Sequence, residues 1–442
     1  MTAPATLVWG LGIAGRAVAQ ALHDRGAHVI VGDDDVTSEH RRFAEERGLT
    51  LAEPTTDDEF ASLVARVGRL SPAPGVPEHH RVIGAARFAG IPIVSELELA
   101  YDFEVEAGRH RPMLGITGTD GKTTTTLMTQ AILSSAGHRA EAVGNTETPL
   151  IAALDSGADC FAVECSSFRL AFTERFRCKA AAWLNVAPDH LDWHSDYDAY
   201  FAAKAKLWAH VSAGDVAVAP VDDDAILDVA RRSNARVVTF GADRGDYHAI
   251  GGVLSSPHGV IVESRAMSRS LPHDVTNALA AAALCIESGL ASPAHVADAL
   301  ARYEHAAHRI EFVRELDGVR WFNDSKATSP HAAAVAIKSF DSIVLIAGGK
   351  NKGLDLGEMA RHRNHVRAVV ATGASADAIT AAFDGHCEVR SASSMQEAIE
   401  QARDLARSGD VVLLSPGCTS YDWYSNYGER GDDFRDRVLA LE

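Results

Sequence analysis

Long apolar runs are missing from this chain. Nowhere do apolar residues continue for the roughly 18 positions a membrane-spanning helix needs, so no membrane insertion is expected. Positive charge is also in short supply. The 42 Lys and Arg face 60 Asp and Glu, a net charge of -18. That sign argues against a non-specific grip on nucleic acid or an acidic membrane, while leaving room for a polyanion held by a few local cations and Mg²⁺. The six cysteines (Cys160, Cys165, Cys178, Cys285, Cys387 and Cys418) show no ligand spacing. Reduced thiols of a cytosolic protein are the simple reading. No Gly-x-Ser-x-Gly elbow and no Cys-x-x-Cys pair occurs, so covalent hydrolase and thiol redox chemistry have little support. The opening MTAPATLVWG lacks a basic stretch followed by an apolar one, and a cytoplasmic location is expected.

What is present is an ordinary folding mixture, 46% hydrophobic and 23% charged, in 442 residues. That length suits two or three domains. Its most informative stretch is LGITGTDGKTTTT, residues 114–126. A short apolar strand leads in, and a helical run, LMTQAILSSAG, leads out. Gly118 and Gly121 allow a sharp turn that brings backbone close to a ligand. The N–H groups of such a turn, with the helix N-terminus behind them, hold phosphate. Lys122 would reach the β/γ-phosphates, and Thr123 or Thr124 would place a hydroxyl on Mg²⁺. Ile116 stands where the strict phosphate-loop pattern wants its first glycine. The bland alternative is a Gly-rich surface turn with an exposed lysine.

The first segment, to about residue 110, reads β-turn-α-β. The strand Thr6 to Trp9 meets Gly10-Leu11-Gly12-Ile13-Ala14-Gly15, a helix follows, and HVIVG ends at Asp33, 18 positions after Gly15. NAD or FAD binding, another mononucleotide, or close helix–strand packing all fit that glycine spacing. Helices are expected over Glu39–Glu46, Asp57–Val67 and Arg81–Ala89. Arg69 to Pro77 reads as a rigid, Pro-rich loop.

The second segment, about 111–308, again alternates strand and helix. Glu164 lies at the carboxyl end of the expected strand CFAVEC, where a Mg²⁺ partner would sit, unless it is a half-buried Glu paired in structure. After the strand AAAWLNV come Asp189, His190, Asp192 and His194, candidate hard-metal ligands. No cysteine joins them and phosphate would share the ion, so Mg²⁺ or Mn²⁺ is preferred to zinc. His194 could equally cap the next helix, expected over 196–209. That helix carries Lys204 and Lys206 on different faces, one solvated and one toward the cleft. A long apolar helix starts near Asp274, with Asn277 in its first turn facing a ligand or making an ordinary hydrogen bond. Arg309, at the next junction, has a planar fork suited to phosphate.

The third segment, 309–442, opens with a possible hairpin about Asp317-Gly318 and alternates thereafter. Lys, Ser and Thr end its strands, at Asp324 to Thr328, Lys350 to Gly353 and Cys418 to Ser420. They suit a carboxylate-bearing substrate or are solvated loops. The whole is expected to be α/β with three domains: a Rossmann-like 1–110, a central ATP-binding 111–308 with a mostly parallel sheet, and a Rossmann-like 309–442.

GLGIAG, GITGTDGKTTTT, VECSSF, LNVAPDHLDWH, HRIEFV, WFNDSKAT, IAGGKNKG and LLSPGCTSYDWYSNYGERGDDF run in one order over nearly the whole chain. This series resembles the muramyl-peptide ligases, and their glutamate-adding branch best. The resemblance implies ATP and Mg²⁺ (or Mn²⁺) as cofactors, and UDP-N-acetylmuramoyl-L-alanine and glutamate as substrates. It implies an amide bond made through an acyl phosphate. No nucleic-acid partner is expected, and the chain is expected to be a monomer.

Roles follow from the same resemblance. Lys122, His190 and Lys204 would be catalytic. ATP would be held by Gly118, Thr119, Asp120, Gly121, Lys122, Thr123, Thr124, Asn277, Arg309 and Asp324. Gly12, Asp33, Gly75 and Asn145 would hold the UDP substrate. Lys326, Thr328, Lys352, Ser420 and Tyr427 would hold the amino acid. Thr123, Glu164, His190 and a carbamylated Lys204 would attend the metal. The chain departs from the usual pattern at Asp120 (usually Asn), Arg169 (usually Gln), Asp274 (commonly Asn) and Tyr427 (usually Phe). It also departs at Asp33-Asp34-Asp35 and Thr146 to Pro149, and several departures touch substrate recognition. The same ligation with L-glutamate, another ligase specificity, a non-catalytic nucleotide binder and an NAD-dependent oxidoreductase are the alternatives.

Overall fold

A computed structural model describes residues 4–442. Among these residues there are four sheets. The first has β1 (Ala5–Trp9), β2 (Val29–Gly32), β3 (Thr50–Ala52) and β4 (Val67–Pro72), all parallel, in the order β3-β2-β1-β4. The second has β5 (Met113–Thr117), β6 (Ala140–Gly144), β7 (Cys160–Glu164), β8 (Ala180–Trp183), β9 (Val216–Pro220) and β10 (Arg236–Phe240). It is also all parallel, ordered β10-β9-β8-β5-β7-β6. A small antiparallel meander, β11 (His248–Ile250), β12 (Val253–Ser256) and β13 (Gly259–Glu263), follows. The last sheet holds β14 (Glu311–Leu316), β15 (Val319–Asn323), β16 (Ile343–Gly348), β17 (Val366–Thr372), β18 (Glu388–Ala392) and β19 (Val411–Leu414). Its order is β14-β15-β19-β16-β17-β18, parallel except for the β14–β15 hairpin. Three α/β domains built on mostly parallel sheets result, as the alternation predicts.

Burial on both faces explains the unbroken apolar strands. In β8, Ala180 and Ala182 join Leu114 and Ile116 in one core. Ala181 and Trp183 point the other way and join Phe161 and Val163. This is the strand's period of two at work. The first of these cores packs on the helix Pro272–Glu287, which is buried all round from Ala278 to Ile286. The other core continues without a break into Val8, Val29 and Val31 of the first sheet. The chain accordingly divides into two compact units. One is residues 1–270 with 274–303, and the other is 271–273 with 304–442.

Several local expectations change. Residues 67–72 form β4 beside β1, where a helix end and a loop were expected, because tertiary pairing overrides the weak propensity of VGRLSP. The helix after the Gly-rich turn begins at Lys122, so the threonines are helical. The long apolar helix begins at Pro272, which moves Asn277 into its second turn.

Candidate active site

In open parallel sheets, ligands bind beyond the carboxyl ends of the strands, where the strand order reverses. Here that place is the end of β5, between β7 and β8. The turn 118–121 leaves β5 there. Gly121 caps the helix Lys122–Ser135 at φ +81, and a Cβ on it would lie 2.6 Å from Asn277 Oδ1. Only glycine suits both the left-handed backbone and the close approach. Asn277 thus faces the turn.

The turn is tied down from the β8 side. Asn185 Oδ1 accepts from the N–H of Thr119 at 3.0 Å and of Asp120 at 2.9 Å, and Asn185 Nδ2 donates to the Asp120 carbonyl at 3.1 Å. Thr119 Oγ1 lies 2.9 Å from the Tyr200 hydroxyl and accepts from Ala187 N–H at 2.9 Å. Lys122 Nζ donates to the carbonyls of Gly118 at 2.9 Å and Thr119 at 2.7 Å. Lys204 Nζ donates to the same Gly118 oxygen at 2.6 Å and lies 4.6 Å from the Tyr200 ring centroid. The side-chain nitrogens of two lysines therefore share one carbonyl. Lys204 is 1% exposed, and burial, then the charge of Lys122, push its pKa well below the usual lysine range. Lys206, read as on a different helical face, is half-buried and donates to the Ala171 and Thr173 carbonyls.

Glu164 ends β7, whose residues pair in register with β5. It is 2% exposed. Its Oε1 accepts from Asn145 Nδ2 at 3.1 Å, and its Oε2 is buried with no hydrogen-bond partner among the described residues. A buried carboxylate oxygen without a donor suits a cation, which is how Glu164 fits Mg²⁺. Among the described residues no three His, Cys, Asp or Glu side chains gather as a metal cage. Of the expected metal set only Glu164 and His190 are of those types. His190 has φ +55, uncommon for a non-glycine residue, with Asp189 Oδ2 3.3 Å from its Nε2 and Phe168 at 4.6 Å. His194 does not cap the next helix, because Asp196 does. It is buried, with Nε2 3.0 Å from Ser167 Oγ. Thr123 and Thr124 are half-buried in the helix's first turn.

Gly12, Asp33 and Gly75 lie at the carboxyl edge of the first sheet, after β1, β2 and β4. Asp33 Oδ2 accepts from Leu11 N–H at 2.6 Å and so braces the glycine turn. Asn145 follows β6 on the central sheet.

In the second unit, Asp324 follows β15 and is satisfied locally. Its Oδ1 accepts from Ile310 N–H at 3.2 Å and its Oδ2 from Ser415 Oγ at 2.8 Å. Arg309 lies between His308 at φ +62 and Ile310 at φ +48. Lys326 Nζ sits 3.7 Å from the Tyr427 ring centroid. Thr328 N–H bonds the Lys326 carbonyl at 2.9 Å. A bridge between Lys350 and Thr419 brings the loops of Lys352 and Ser420 side by side, with Lys352 exposed and Ser420 buried. Arg430, from the helix Tyr427–Leu439, organises this region. It donates to Ser325 Oγ, the Ser325 carbonyl and the Cys418 carbonyl at 2.8–3.2 Å. Burial pushes its pKa down to about 10.

Sequence reasoning missed Asn185, Tyr200, Arg430 and the pair Glu96–Arg169 as site-builders. An asparagine closing the buried apolar run of β8, two residues past Trp183, was the signal available at Asn185.

A glycine turn at a helix N-terminus, two lysines converging on it and a buried carboxylate beside it define a nucleotide-binding α/β enzyme. Comparison with known proteins agrees. Residues 116–285 match the model of the Mur ligase middle domain, and 308–418 that of the Mur ligase, glutamate ligase domain. A UDP-N-acetylmuramoylalanine–D-glutamate ligase of Frankia casuarinae is 40% identical over 99% of this chain and 94% of its own length. Ligases of the same name from Pelotomaculum thermopropionicum and Thermobifida fusca are each 38% identical. They cover 99% and 98% of this chain, and 97% and 98% of their own lengths. The chain belongs to the Mur ligase family of amide-bond-forming ligases. Solved structures share the fold. A pseudomurein peptide ligase type C from Methanothermus fervidus has a TM-score of 0.61 at 16% identity, covering 99% of this chain and 100% of its own. A UDP-N-acetylmuramate–alanine ligase from Thermotoga maritima has 0.58 at 19%, with the same coverage. Among the described residues no helix is long and apolar enough to cross a membrane.

Proposed function

We propose that this chain joins D-glutamate to UDP-N-acetylmuramoyl-L-alanine at the expense of ATP, in the cytoplasm and as a monomer. The observation that carries the reading is the turn 118–121 with Lys122 and Lys204 on one carbonyl and the unpartnered Glu164 oxygen on the neighbouring strand. The relatives' shared name supplies the substrates.

The substrate carboxylate attacks the γ-phosphorus of ATP and ADP leaves. The amine of D-glutamate then attacks the acyl phosphate carbon, and phosphate departs with amide formation. Lys122, the first residue of its helix, would leave the Gly118 and Thr119 carbonyls and meet the phosphoryl oxygens. Thr123, Glu164, His190 and a modified Lys204 would hold Mg²⁺, which supplies charge neutralisation on those oxygens. The depressed proton affinity of Lys204 favours its neutral amine. That form adds to CO₂, losing a proton, to give a carbamate.

Gly118 to Thr124 and Asn277 are assigned to ATP, as are Arg309 and Asp324. Gly12, Asp33, Gly75 and Asn145 are assigned to the UDP substrate. Lys326, Thr328, Lys352, Ser420 and Tyr427 are assigned to glutamate, with domains at 1–110, 111–308 and 309–442. These assignments rest on the family resemblance.

The test is phosphate release from ATP with Mg²⁺ and UDP-N-acetylmuramoyl-L-alanine. D-glutamate, L-glutamate, meso-diaminopimelate and L-lysine are supplied in turn. Release with D-glutamate alone, with a product heavier by one glutamyl residue, is expected. Release with another amino acid changes the specificity, and silence with all four refutes the reading.

A further inference from the structure

Behind Glu164 and Asn145 lies a buried ion pair that the reaction does not use. Arg169, from the short helix Ser167–Ala171, is 5% exposed, and its Nε is 3.2 Å from Oε2 of Glu96, itself 2% exposed. Glu96 Oε1 accepts from Ile151 N–H at 2.7 Å, so the carboxylate is held from both sides. The arginine's Nη1 goes elsewhere, donating to Asn145 Oδ1 at 2.6 Å. On the other side of the same amide, Nδ2 donates to Glu164 Oε1 at 3.1 Å.

We propose that Arg169 is a positioning residue that sets the orientation of the Asn145 amide, so that the free N–H of Asn145 is offered to an acceptor oxygen of the nucleotide–peptide substrate. The chemistry leaves no second orientation. A guanidinium has only donors, so the amide oxygen must face Arg169. A carboxylate has only acceptors, so the NH₂ must face Glu164. One Nδ2 hydrogen is used on Glu164, and the other has no acceptor among the described residues. Asn145 is exposed at the carboxyl end of β6, where that hydrogen is open to a ligand. Backbone holds the frame: Asn145 N–H donates to the Glu164 carbonyl at 2.9 Å. Gly144, at φ +98, lies against that carbonyl, where a Cβ would come within 2.4 Å. The relay Glu96–Arg169–Asn145–Glu164 thus joins three chain segments and ends on the carboxylate read as a metal partner. It rests on the substrate named above.

The test is calorimetric binding of UDP-N-acetylmuramoyl-L-alanine in metal-free buffer, with melting temperatures alongside. Arg169→Lys keeps a cation and a donor. The double variant E96Q/R169M removes the pair without leaving a lone buried charge, and offers no donor to Asn145. Wild-type affinity within threefold is expected for Arg169→Lys. A loss of about tenfold is expected for E96Q/R169M, the size of one lost hydrogen bond, with ATP affinity unchanged. Wild-type affinity in E96Q/R169M, or equal losses in both variants, overturns the proposal. If E96Q/R169M does not fold, Asn145→Ala decides. It removes the amide that Arg169 orients without adding a charge, so wild-type affinity in Asn145→Ala refutes the role, and a tenfold loss there with affinity kept in Arg169→Lys supports it. A wild-type protein that does not bind this nucleotide would instead refute the substrate reading.

Discussion

Replacing Glu164 by Gln should make the ligand-free protein more stable and the enzyme worse. Glu164 is 2% exposed, and only its Oε1 has a donor, the Asn145 amide. Its Oε2 is buried without one. Leaving a buried polar atom unsatisfied costs about 1–3 kcal/mol, more for a charged group. Glutamine keeps the acceptor toward Asn145 and replaces a lone buried anionic oxygen with a neutral NH₂. The neutral group is also unpaired, so about 1–2 kcal/mol is recovered rather than the whole. For a cooperative unit of some 150–250 residues that is a rise of about 2–8 °C in Tm, and somewhat less for a larger one. Mg²⁺ with a non-hydrolysable ATP analogue should reverse the order. A ligand at about 100 times its Kd adds about 2.7 kcal/mol to the protein that binds it. Wild type should gain this and Glu164→Gln should not. The assay is scanning calorimetry in EDTA and again with Mg²⁺–nucleotide, with phosphate release measured in parallel. A variant that melts below wild type in EDTA, or that gains as much from Mg²⁺–nucleotide, would refute the cation role of the orphaned oxygen.

Lys122→Ala should cut turnover by about 10²-fold or more through lost transition-state charge stabilisation. Its Tm should change little, since Asn185 still ties the turn; turnover within threefold of wild type, by phosphate release, contradicts the assignment. Gly121→Ala forces a Cβ into a left-handed position facing Asn277 Oδ1 and should cost roughly 1–3 kcal/mol in chemical denaturation, with weaker ATP binding. Full stability there would show that the turn relaxes freely. Lys204 binds its proton less tightly when folded, whereas the unfolded chain holds one up to about pH 10.4. The unfolded state therefore carries the extra proton between the two pKa values, and stability rises with pH across that window. Lys204→Met should remove this rise. Its gain over wild type in CO₂-free urea titrations should be larger at pH 7 than at pH 10, and a pH-independent difference would contradict the burial cost.

Much of the architecture was legible locally. Buried strands such as those carrying CFAV and VVLL announce themselves by continuous apolar residues, and the turn 118–121 by glycine and a following helix. These signals come from backbone conformation and periodicity, which neighbours in sequence control. β4 was not legible, because VGRLSP gains its strand only by pairing with β1 some 60 residues away. The site divides in the same way. Lys122 and Glu164 could be picked out as residue types at a helix start and a strand end, and Lys204 only through the family resemblance, since the helix by itself did not choose between it and Lys206. That Lys122 and Lys204 share the Gly118 carbonyl, that Asn185 clamps the turn, and that Glu96 reaches Glu164 through Arg169 and Asn145 could not. Sequence by itself determined which residues stand at the carboxyl ends of the strands. Strand order decided which of those ends meet. It also decided which carboxylate oxygen is left without a donor, since pairing between distant segments is set by packing of whole sheets and leaves no trace in a local pattern.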